Sequence, residues 1–260
     1  MTASLVDMHC HLLAGLDDDG PATTDVVLEM CRIAHEEGTQ LVAATAHQNK
    51  GSDRATPQRI RESTAQLSLL LQQQGIPLTV FPSAEVMAHP EMESSWDQGK
   101  LMSLADRGKY LLVEMPYGVL VDLRNVVRCF RAKGVRIILA HPERQSEFLH
   151  DAGVIEAMIE GGCLVQVSSS SVTQPDRAAD ERALKHWFQR GCVHLIGSDG
   201  HSQDKRPPLL AAAYRRISRW AGTAAANQIC SSNGQAVLRG EPLFVSPPQP
   251  RRSWWAPRSW

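Results

Sequence analysis

Runs of apolar residues alternate with amphipathic helical segments along most of this 260-residue chain. Glycines such as Gly38, Gly75 and Gly134 end several of the helical segments, as is common at helix C-termini. This alternation predicts repeated βα units with parallel strands. The seven predicted strands occupy residues 4–9, 40–46, 77–82, 109–114, 135–140, 163–168 and 193–198.

Seven βα repeats come close to the eight of a complete barrel. We therefore predict an α/β fold of the distorted (β/α)7 TIM-like barrel type, with a doubly wound open sheet as the alternative. The length, with 43% hydrophobic residues, is sufficient for one large core. We assign residues 1–245 to this domain.

The last fifteen residues, 246–260, differ from the rest in composition. They combine prolines, arginines and three tryptophans without helical or strand periodicity. We expect a loosely ordered tail. A docking segment for a partner or for an anionic membrane surface is the alternative.

Charge and composition exclude several classes of function. The 27 basic and 28 acidic side chains nearly balance, so nothing indicates binding to nucleic acid. No apolar run reaches the roughly 18 residues of a membrane span, and no secretory signal pattern opens the chain. We therefore expect a cytoplasmic protein. Its six scattered cysteines form no CxxC pair, which predicts reduced and mostly buried thiols.

A pair of histidines, His9 and His11, lies at the end of the first predicted strand. Side chains at positions i and i+2 of a strand point to the same side, so both imidazoles can reach one metal ion. Cys10 lies between them and is expected to point into the core instead. The sequence therefore predicts a metal site at this strand end.

Potential ligands recur after most of the other predicted strands. In a barrel, the C-terminal ends of the strands meet at a shared mouth. Nitrogen and oxygen ligands without thiolate suit two or three divalent ions, and such ions promote hydrolysis of phosphate esters. The further candidates are Asp17–Asp19, His47, Glu85, Glu114, His141, Asp199 and His201.

The other five histidines are weaker candidates. His35, His150 and His186 fall on or near predicted helices among charged neighbours, which favours exposure to solvent. His194 is at odd spacing from Asp199 and is expected to point to the opposite side of its strand. His89 remains open as a residue of the mouth.

Two arginines, Arg144 and Arg206, follow the predicted ligands His141 and His201. A guanidinium binds a pair of phosphate oxygens, so two arginines at the mouth predict an anionic substrate. Local pairing with Glu143 and Asp204 is the alternative. The chain has no Cys-x5-Arg, Walker-type or GxGxxG motif, and chemistry by a thiolate nucleophile or a nucleotide cofactor is therefore unsupported.

Several segments resemble one known family. DMHCHLLAGLDDDGP at 7–21, HPER at 141–144, SDGH at 198–201 and RPP at 206–208 are similar to motifs of the polymerase and histidinol phosphatase (PHP) family. Within it they resemble the bacterial metal-dependent protein-tyrosine phosphatases found with capsule and exopolysaccharide genes. The similarity extends over roughly residues 4–240 in order and spacing.

The resemblance implies a distorted (β/α)7 barrel with a trinuclear centre that manganese usually supports; iron, zinc and cobalt are alternatives. Arg144 and Arg206 correspond to the arginines that bind the substrate phosphate in this family. For the third ion, counting forward from His11 selects Asp18, which we prefer, whereas counting back from Gly20 selects Asp19. The implied ligand sets are His9, His11, Glu85 and Asp199 for the first ion, Glu85, Glu114 and His141 for the second, and Asp18, His47 and His201 for the third.

The function expected from this resemblance is hydrolysis of phosphotyrosine on proteins, on the tail of a partner tyrosine kinase in polysaccharide export. Asp199 or a water molecule would protonate the leaving phenolate. One alternative is a phosphatase for a small metabolite such as histidinol phosphate, and another is a non-catalytic module that binds a kinase. A metal-dependent amidohydrolase is disfavoured, because Glu114 stands where those barrels carry a bridging lysine.

Overall fold

The computed structural model describes residues 4–49, 54–116, 118 and 121–245. The tail predicted at 246–260 lies outside the described residues, so its expected disorder stays a prediction. Within the described part of the chain, no helix is long and apolar enough to cross a bilayer.

All strand pairs in the described residues are parallel, and they form two sheets of order β1-β2-β4 and β3-β5-β6-β7-β8-β9. The strands are β1 Leu5–His11, β2 Thr39–Thr45, β3 His47–Gln48, β4 Thr79–Pro82, β5 Glu85–Met87, β6 Tyr110–Glu114, β7 Arg136–Ala140, β8 Leu164–Ser168 and β9 Leu195–Gly197.

The two sheets surround one interior. Only Ala46 separates β2 from β3, and Glu85 N donates to Ala46 O at 3.0 Å where the first sheet meets the second. On the other side, Asp199 N donates to His9 O at 2.7 Å and His11 N donates to Gly200 O at 2.8 Å. These bonds join β1 to the segment after β9. The predicted α/β fold with parallel strands is confirmed, and these bonds bring the two sheets together as a distorted barrel that is not fully closed by strand pairing in the part of the chain that the structure describes.

Helices cover the outside of the strands and begin where local chemistry permits. The Thr56 side chain accepts a hydrogen bond from Arg59 N, and Pro57 occupies the first position of α2. Pro207 and Pro208 precede α9, which begins at Ala211. The helices are α1 Thr24–Glu36, α2 Pro57–Gln73, α3 Met92–Asp97, α4 Arg124–Ala132, α5 Ser146–His150, α6 Ala152–Glu160, α7 Ser169–Thr173, α8 Ala178–Arg190, α9 Ala211–Ala221, α10 Thr223–Asn227 and α11 Asn233–Arg239.

The interior of the barrel is apolar at the N-terminal ends of the strands. Val6, Met8 and Ile138 are buried there, and Leu238 of α11 packs against this cluster. Gly234 permits the close approach of α11, because a Cβ at this position would lie 2.7 Å from Val6 Cγ1. The apolar residues close this end of the barrel and leave the polar side chains at the opposite end.

A β-bulge in β1 brings the two histidines to the interior. Val6 and Met8 point into the barrel, and strict alternation would turn His9 outward. The pairing of β1 with β2 shifts register between Asp7 and Cys10. Such a bulge adds one residue and reverses the alternation beyond it. His9 and His11 therefore face the same interior as Met8, and Cys10 packs in the outer core, as predicted.

Candidate metal centre

His9 and His11 direct their Nε2 atoms at the same point. The two Nε2 atoms are 3.0 Å apart, and both side chains are fully buried. His9 Nδ1 lies 3.1 Å from Gln166 Oε1, and His11 Nδ1 lies 2.8 Å from Asp17 Oδ2. Because both of these oxygens only accept, each Nδ1 carries a proton, which leaves the two Nε2 atoms as the ring positions that can bind a cation. Two ring nitrogens that converge in this way fit a shared cation.

The Glu85 carboxylate occupies the middle of the site. Its Oε2 lies 3.2 Å from His9 Nε2 and 3.0 Å from His47 Nδ1, and its Oε1 lies 2.9 Å from His141 Nε2. Burial raises the pKa of Glu85, but the surrounding histidines outweigh it and hold this pKa well below its usual range. An ionised carboxylate with both oxygens among imidazoles is suited to bridging two cations.

Asp199 has one oxygen toward the histidines and the other toward two arginines. Its Oδ1 lies 3.5 Å from His9 Nε2, whereas its Oδ2 accepts hydrogen bonds of 2.5 Å from both Arg144 and Arg206. The residue adopts a left-handed φ of 54°, a conformation that is uncommon outside glycine and concentrates at functional sites. Asp199 therefore connects the ligand cluster with the two predicted phosphate-binding side chains.

The loop after β1 brings a different aspartate to the site from the one preferred in the sequence. Asp19 Oδ1 lies 3.6 Å from His47 Nε2, and Asp19 Oδ2 lies 3.6 Å from His201 Nε2. The Asp18 side chain is 64% exposed and forms an ion pair with Arg54. The structure therefore places Asp19, and not the preferred Asp18, beside the two histidines, because the turn directs these neighbouring side chains to different sides.

The His201 ring is in a state that suits a ligand. Its Nδ1 donates to Asp199 O at 2.9 Å, and its buried Nε2 has no hydrogen-bond partner among the described residues. Burial and the nearby His11 lower the pKa of His201 to about 2, so the ring stays neutral. An orphaned, buried imidazole lone pair of this kind is costly unless a cation or a water meets it.

The structure brings eight of the nine predicted ligands together. They form four overlapping groups, and the candidate ligand atoms of each group lie within 4.8 Å of one another. Imidazole and carboxylate donors without thiolate suit divalent first-row metals. The residues present therefore fit a centre for more than one ion. The groups are His11, His47 and His201; His9, His141 and Asp199; His9, His11 and Glu85; and His47, Glu85 and Glu114.

Protons and metal ions compete for this site. Burial lowers the pKa of His11, but its interactions with Asp17 and Glu85 outweigh burial and raise that pKa to about 10. The carboxylates thus hold a positive charge between the histidines, as a proton when no metal ion is bound. Metal binding at His11 therefore releases a proton.

Residues that belong to none of the three implied ligand sets hold the ligands in place. Asp17 and Gln166 orient the two histidines of β1, and Ser168 Oγ accepts a hydrogen bond of 3.2 Å from Arg144. Asp7 Oδ1 accepts from His9 N at 3.1 Å and from Ser198 N at 2.8 Å, which joins β1 to the segment that carries Asp199. One signal was visible in the sequence, a glutamine inside the apolar run 163–168.

Gly197 also belongs to this supporting set. A Cβ there would lie 2.5 Å from the Cβ of His9 and 2.8 Å from Gln166 Nε2. The end of β9 must therefore be glycine for His9 and Gln166 to keep their positions.

The remaining histidines do not join the cluster. His89 Nδ1 lies 3.0 Å from Met87 O, and His89 is in none of the four ligand groups found in the described residues. His194 Nδ1 accepts a hydrogen bond of 3.0 Å from Val165 N. The thiols of Cys10 and Cys31 are buried, and burial raises their pKa, which makes them poor nucleophiles.

The fold and the donor set define an α/β protein with parallel sheets and a candidate metal centre at the ends of its strands. Residues 5–239 match the family described as capsular polysaccharide synthesis, CpsB/CapC, and the chain belongs to this family.

Three relatives illustrate the similarity. The tyrosine-protein phosphatase YwqE of Bacillus subtilis is 28% identical over 247 residues, which cover 95% of this chain and 96% of the relative. The tyrosine-protein phosphatase CpsB of Streptococcus agalactiae serotype III is 24% identical, with 90% of this chain and 98% of the relative covered. A crystal structure from work on YwqE of Bacillus subtilis and CpsB of Streptococcus pneumoniae, described as metal-dependent tyrosine phosphatases, matches with a TM-score of 0.88 and 27% identity. It covers 96% of this chain and 100% of that chain.

Proposed function

We propose that this chain is a metal-dependent phosphatase that hydrolyses phosphotyrosine in proteins. The observation that carries the proposal is that the two carboxylate oxygens of Asp199 contact different groups. Its Oδ1 belongs to the ligand cluster, and its Oδ2 holds Arg144 and Arg206 beside that cluster. Cations and guanidinium groups thus meet at one place, which is the arrangement that binds a phosphate monoester. The relatives named tyrosine-protein phosphatases support phosphotyrosine as the substrate.

The proposed centre follows the trinuclear arrangement of the PHP family, to which we assign the chain. Manganese is the proposed metal, with iron, zinc or cobalt as alternatives. The change from the sequence expectation is at the third ion, where Asp19 replaces Asp18. The proposed ligands are His9, His11, Glu85 and Asp199 for the first ion, Glu85, Glu114 and His141 for the second, and Asp19, His47 and His201 for the third.

Divalent ions held by these residues would supply Lewis acidity and charge neutralisation at the phosphate. Arg144 and Arg206 would bind the phosphate oxygens and stabilise the charge that develops on them during transfer. Hydrogen bonds to Asp199 Oδ2 already orient the guanidinium groups of both arginines toward the centre. The described thiols are not needed as nucleophiles in this scheme.

Asp199 is better suited to binding cations than to donating a proton. Burial raises its pKa, but His9, His141 and Arg144 outweigh burial and hold the pKa of Asp199 well below its usual range. An ionised carboxylate cannot protonate the leaving phenolate. We therefore assign Asp199 two roles, as a metal ligand and as the residue that positions the two arginines. The leaving phenolate takes its proton from solvent.

Hydrolysis of a phosphotyrosyl peptide, measured together with the metal content of the purified protein, tests the proposal. We expect turnover that a chelator abolishes and that added manganese restores. His9→Ala should lose metal and activity, whereas Arg206→Ala should lose activity and retain metal. Full activity in both variants would overturn the assignment.

Two alternatives remain distinguishable by experiment. A higher kcat/KM for histidinol phosphate than for the peptide would indicate a metabolite phosphatase. Tight binding of a tyrosine kinase by metal-free, inactive protein would indicate a binding module. We propose the tail of a tyrosine kinase of polysaccharide export as the physiological substrate. The cytoplasmic location stays a prediction that cell fractionation tests.

A further inference from the structure

A polar pocket lies next to the candidate centre, between α5, α7 and the beginning of α8. Its volume is about 400 Å³, within the range of about 300–1,000 Å³ that is usual for binding pockets. Hydroxyl, amide and carboxylate groups make up much of its wall. They include Ser146, Ser170, Ser171, Gln174 and Asp176. We call this cavity the Arg144 pocket, because Arg144 is one of the residues that line it.

Arg144 connects the pocket to the ligand cluster. A smaller cavity of about 100 Å³ is lined by Arg144 together with the proposed ligands Glu114 and His141. The same guanidinium donates to Asp199 Oδ2 and to Ser168 Oγ. A phosphate bound by Arg144 at the centre would therefore have the Arg144 pocket directly beside it.

The wall of the pocket is held in place by hydrogen bonds. Ser170 Oγ lies 2.8 Å from Ser168 Oγ, which contacts Arg144. On the far side, Asp180 accepts two hydrogen bonds from Arg177, and its Oδ1 lies 3.1 Å from His150 Nε2. A wall whose side chains already hold one another pays little conformational entropy when a ligand binds.

One polar group in this wall has no counterpart. Glu143 is 5% exposed, and its Oε1 accepts a hydrogen bond of 2.9 Å from Ser168 N. Its Oε2 is buried and has no hydrogen-bond partner among the described residues. A buried carboxylate oxygen without a donor is unfavourable, and such groups are typical of functional sites.

We propose that the Arg144 pocket binds the polypeptide segment next to the phosphotyrosine. This inference rests on the proposed phosphatase function. The tyrosyl side chain separates the peptide backbone from the phosphorus atom, so flanking residues must lie on the surface around the mouth. The pocket begins at a phosphate-binding arginine and offers hydroxyl donors and carboxylate acceptors, which match the C=O and N–H groups of a peptide. The site thus selects a phosphoprotein over a free phenyl phosphate.

Substrates of different length test the proposal. Wild-type protein is assayed with a phosphotyrosyl peptide, with free phosphotyrosine and with p-nitrophenyl phosphate. We expect the peptide to have the lowest KM. Gln174→Trp and Ser171→Leu, which fill the pocket, should raise the KM for the peptide about fivefold or more and leave kcat unchanged. Turnover of p-nitrophenyl phosphate should stay at the wild-type level, which also shows that each variant folds and retains its centre.

Gln72→Trp is the matched control, because Gln72 is exposed on α2 and does not line the Arg144 pocket. It should behave as wild type with all three substrates. An unchanged peptide KM in both pocket variants, or equal kcat/KM of wild type for peptide and free phosphotyrosine, would overturn the pocket assignment alone. Absence of turnover of any phosphotyrosyl substrate by the metal-loaded wild type would instead overturn the proposed function.

Discussion

Asp17 Oδ2 accepts a hydrogen bond of 2.8 Å from Nδ1 of His11, and both side chains are buried. Asp17 Oδ1 also accepts from the backbone N of His47 at 2.6 Å. Burial raises the pKa of Asp17, but His11 outweighs burial and lowers it, so the carboxylate stays ionised. One carboxylate thus fixes the tautomer of one proposed ligand and the position of another.

The first prediction concerns this contact. Asp17→Asn keeps the shape of the side chain but removes its charge, so His11 becomes a weaker and less well-oriented metal ligand. We expect the affinity for manganese to fall by about 10- to 100-fold, as for other changes behind a metal-bound histidine. Titration of metal-free protein with manganese measures this. Asp25→Asn, at an exposed position of α1, is the control, and equal affinities in the two variants would contradict the role of Asp17.

The second prediction separates two neighbouring aspartates. Asp19 lies beside His47 and His201, whereas Asp18 pairs with Arg54 at the surface. Asp19→Asn should therefore lower the number of bound ions per chain by one, and Asp18→Asn should leave it unchanged. Elemental analysis of protein equilibrated with limiting manganese gives the stoichiometry. Loss of an ion in the Asp18 variant alone would restore the original sequence preference.

The third prediction assigns the arginines to substrate. Arg206→Ala removes a donor that points at the centre but contacts Asp199 only through Oδ2, the oxygen turned away from the histidines. We expect kcat/KM for a phosphotyrosyl peptide to fall by about 10²- to 10³-fold, the usual effect of losing one donor to a developing charge. Metal content should stay at the wild-type level. Arg59→Ala, exposed on α2, should be unaffected, and a comparable loss there would point to a nonspecific effect of charge.

The fourth prediction concerns pH and a histidine outside the centre. His194 is 3% exposed, and burial together with the nearby Arg136 lowers its pKa from 6.5 to about 3. Between these two values the unfolded chain binds a proton that the folded chain excludes. The stability associated with neutral His194 is therefore complete above pH 6.5 and is lost as pH falls toward 3. The contribution of His194 to the slope of the unfolding free energy against pH approaches about 1.4 kcal/mol per pH unit.

Denaturant unfolding of chelator-treated protein between pH 7.5 and 4.5 measures this slope. His194→Gln should be less stable at neutral pH and should lose stability less steeply toward acid than wild type. His186→Gln, at an exposed position of α8, should keep the wild-type slope. Parallel curves for wild type and the His194 variant would show that this histidine does not titrate as stated.

Much of the fold followed from local patterns. The alternation of strands and helices and their parallel arrangement depend on short-range periodicity, which is visible in the chain itself. The break at Ala46 and the five-residue helices α5 and α7 were not predicted, because such short segments carry too little periodicity to be recognised in a sequence.

The sequence by itself determined which residue types reach the mouth of the barrel, because the ligands lie at or just after the C-terminal ends of the predicted strands. Only the tertiary structure decided how they meet. The bulge in β1 turns His9 inward, Gln166 from β8 selects its tautomer, and the turn at 17–19 presents Asp19 instead of Asp18. These features depend on contacts between residues far apart in the chain, and spacing along one strand or one loop carries no information about such contacts.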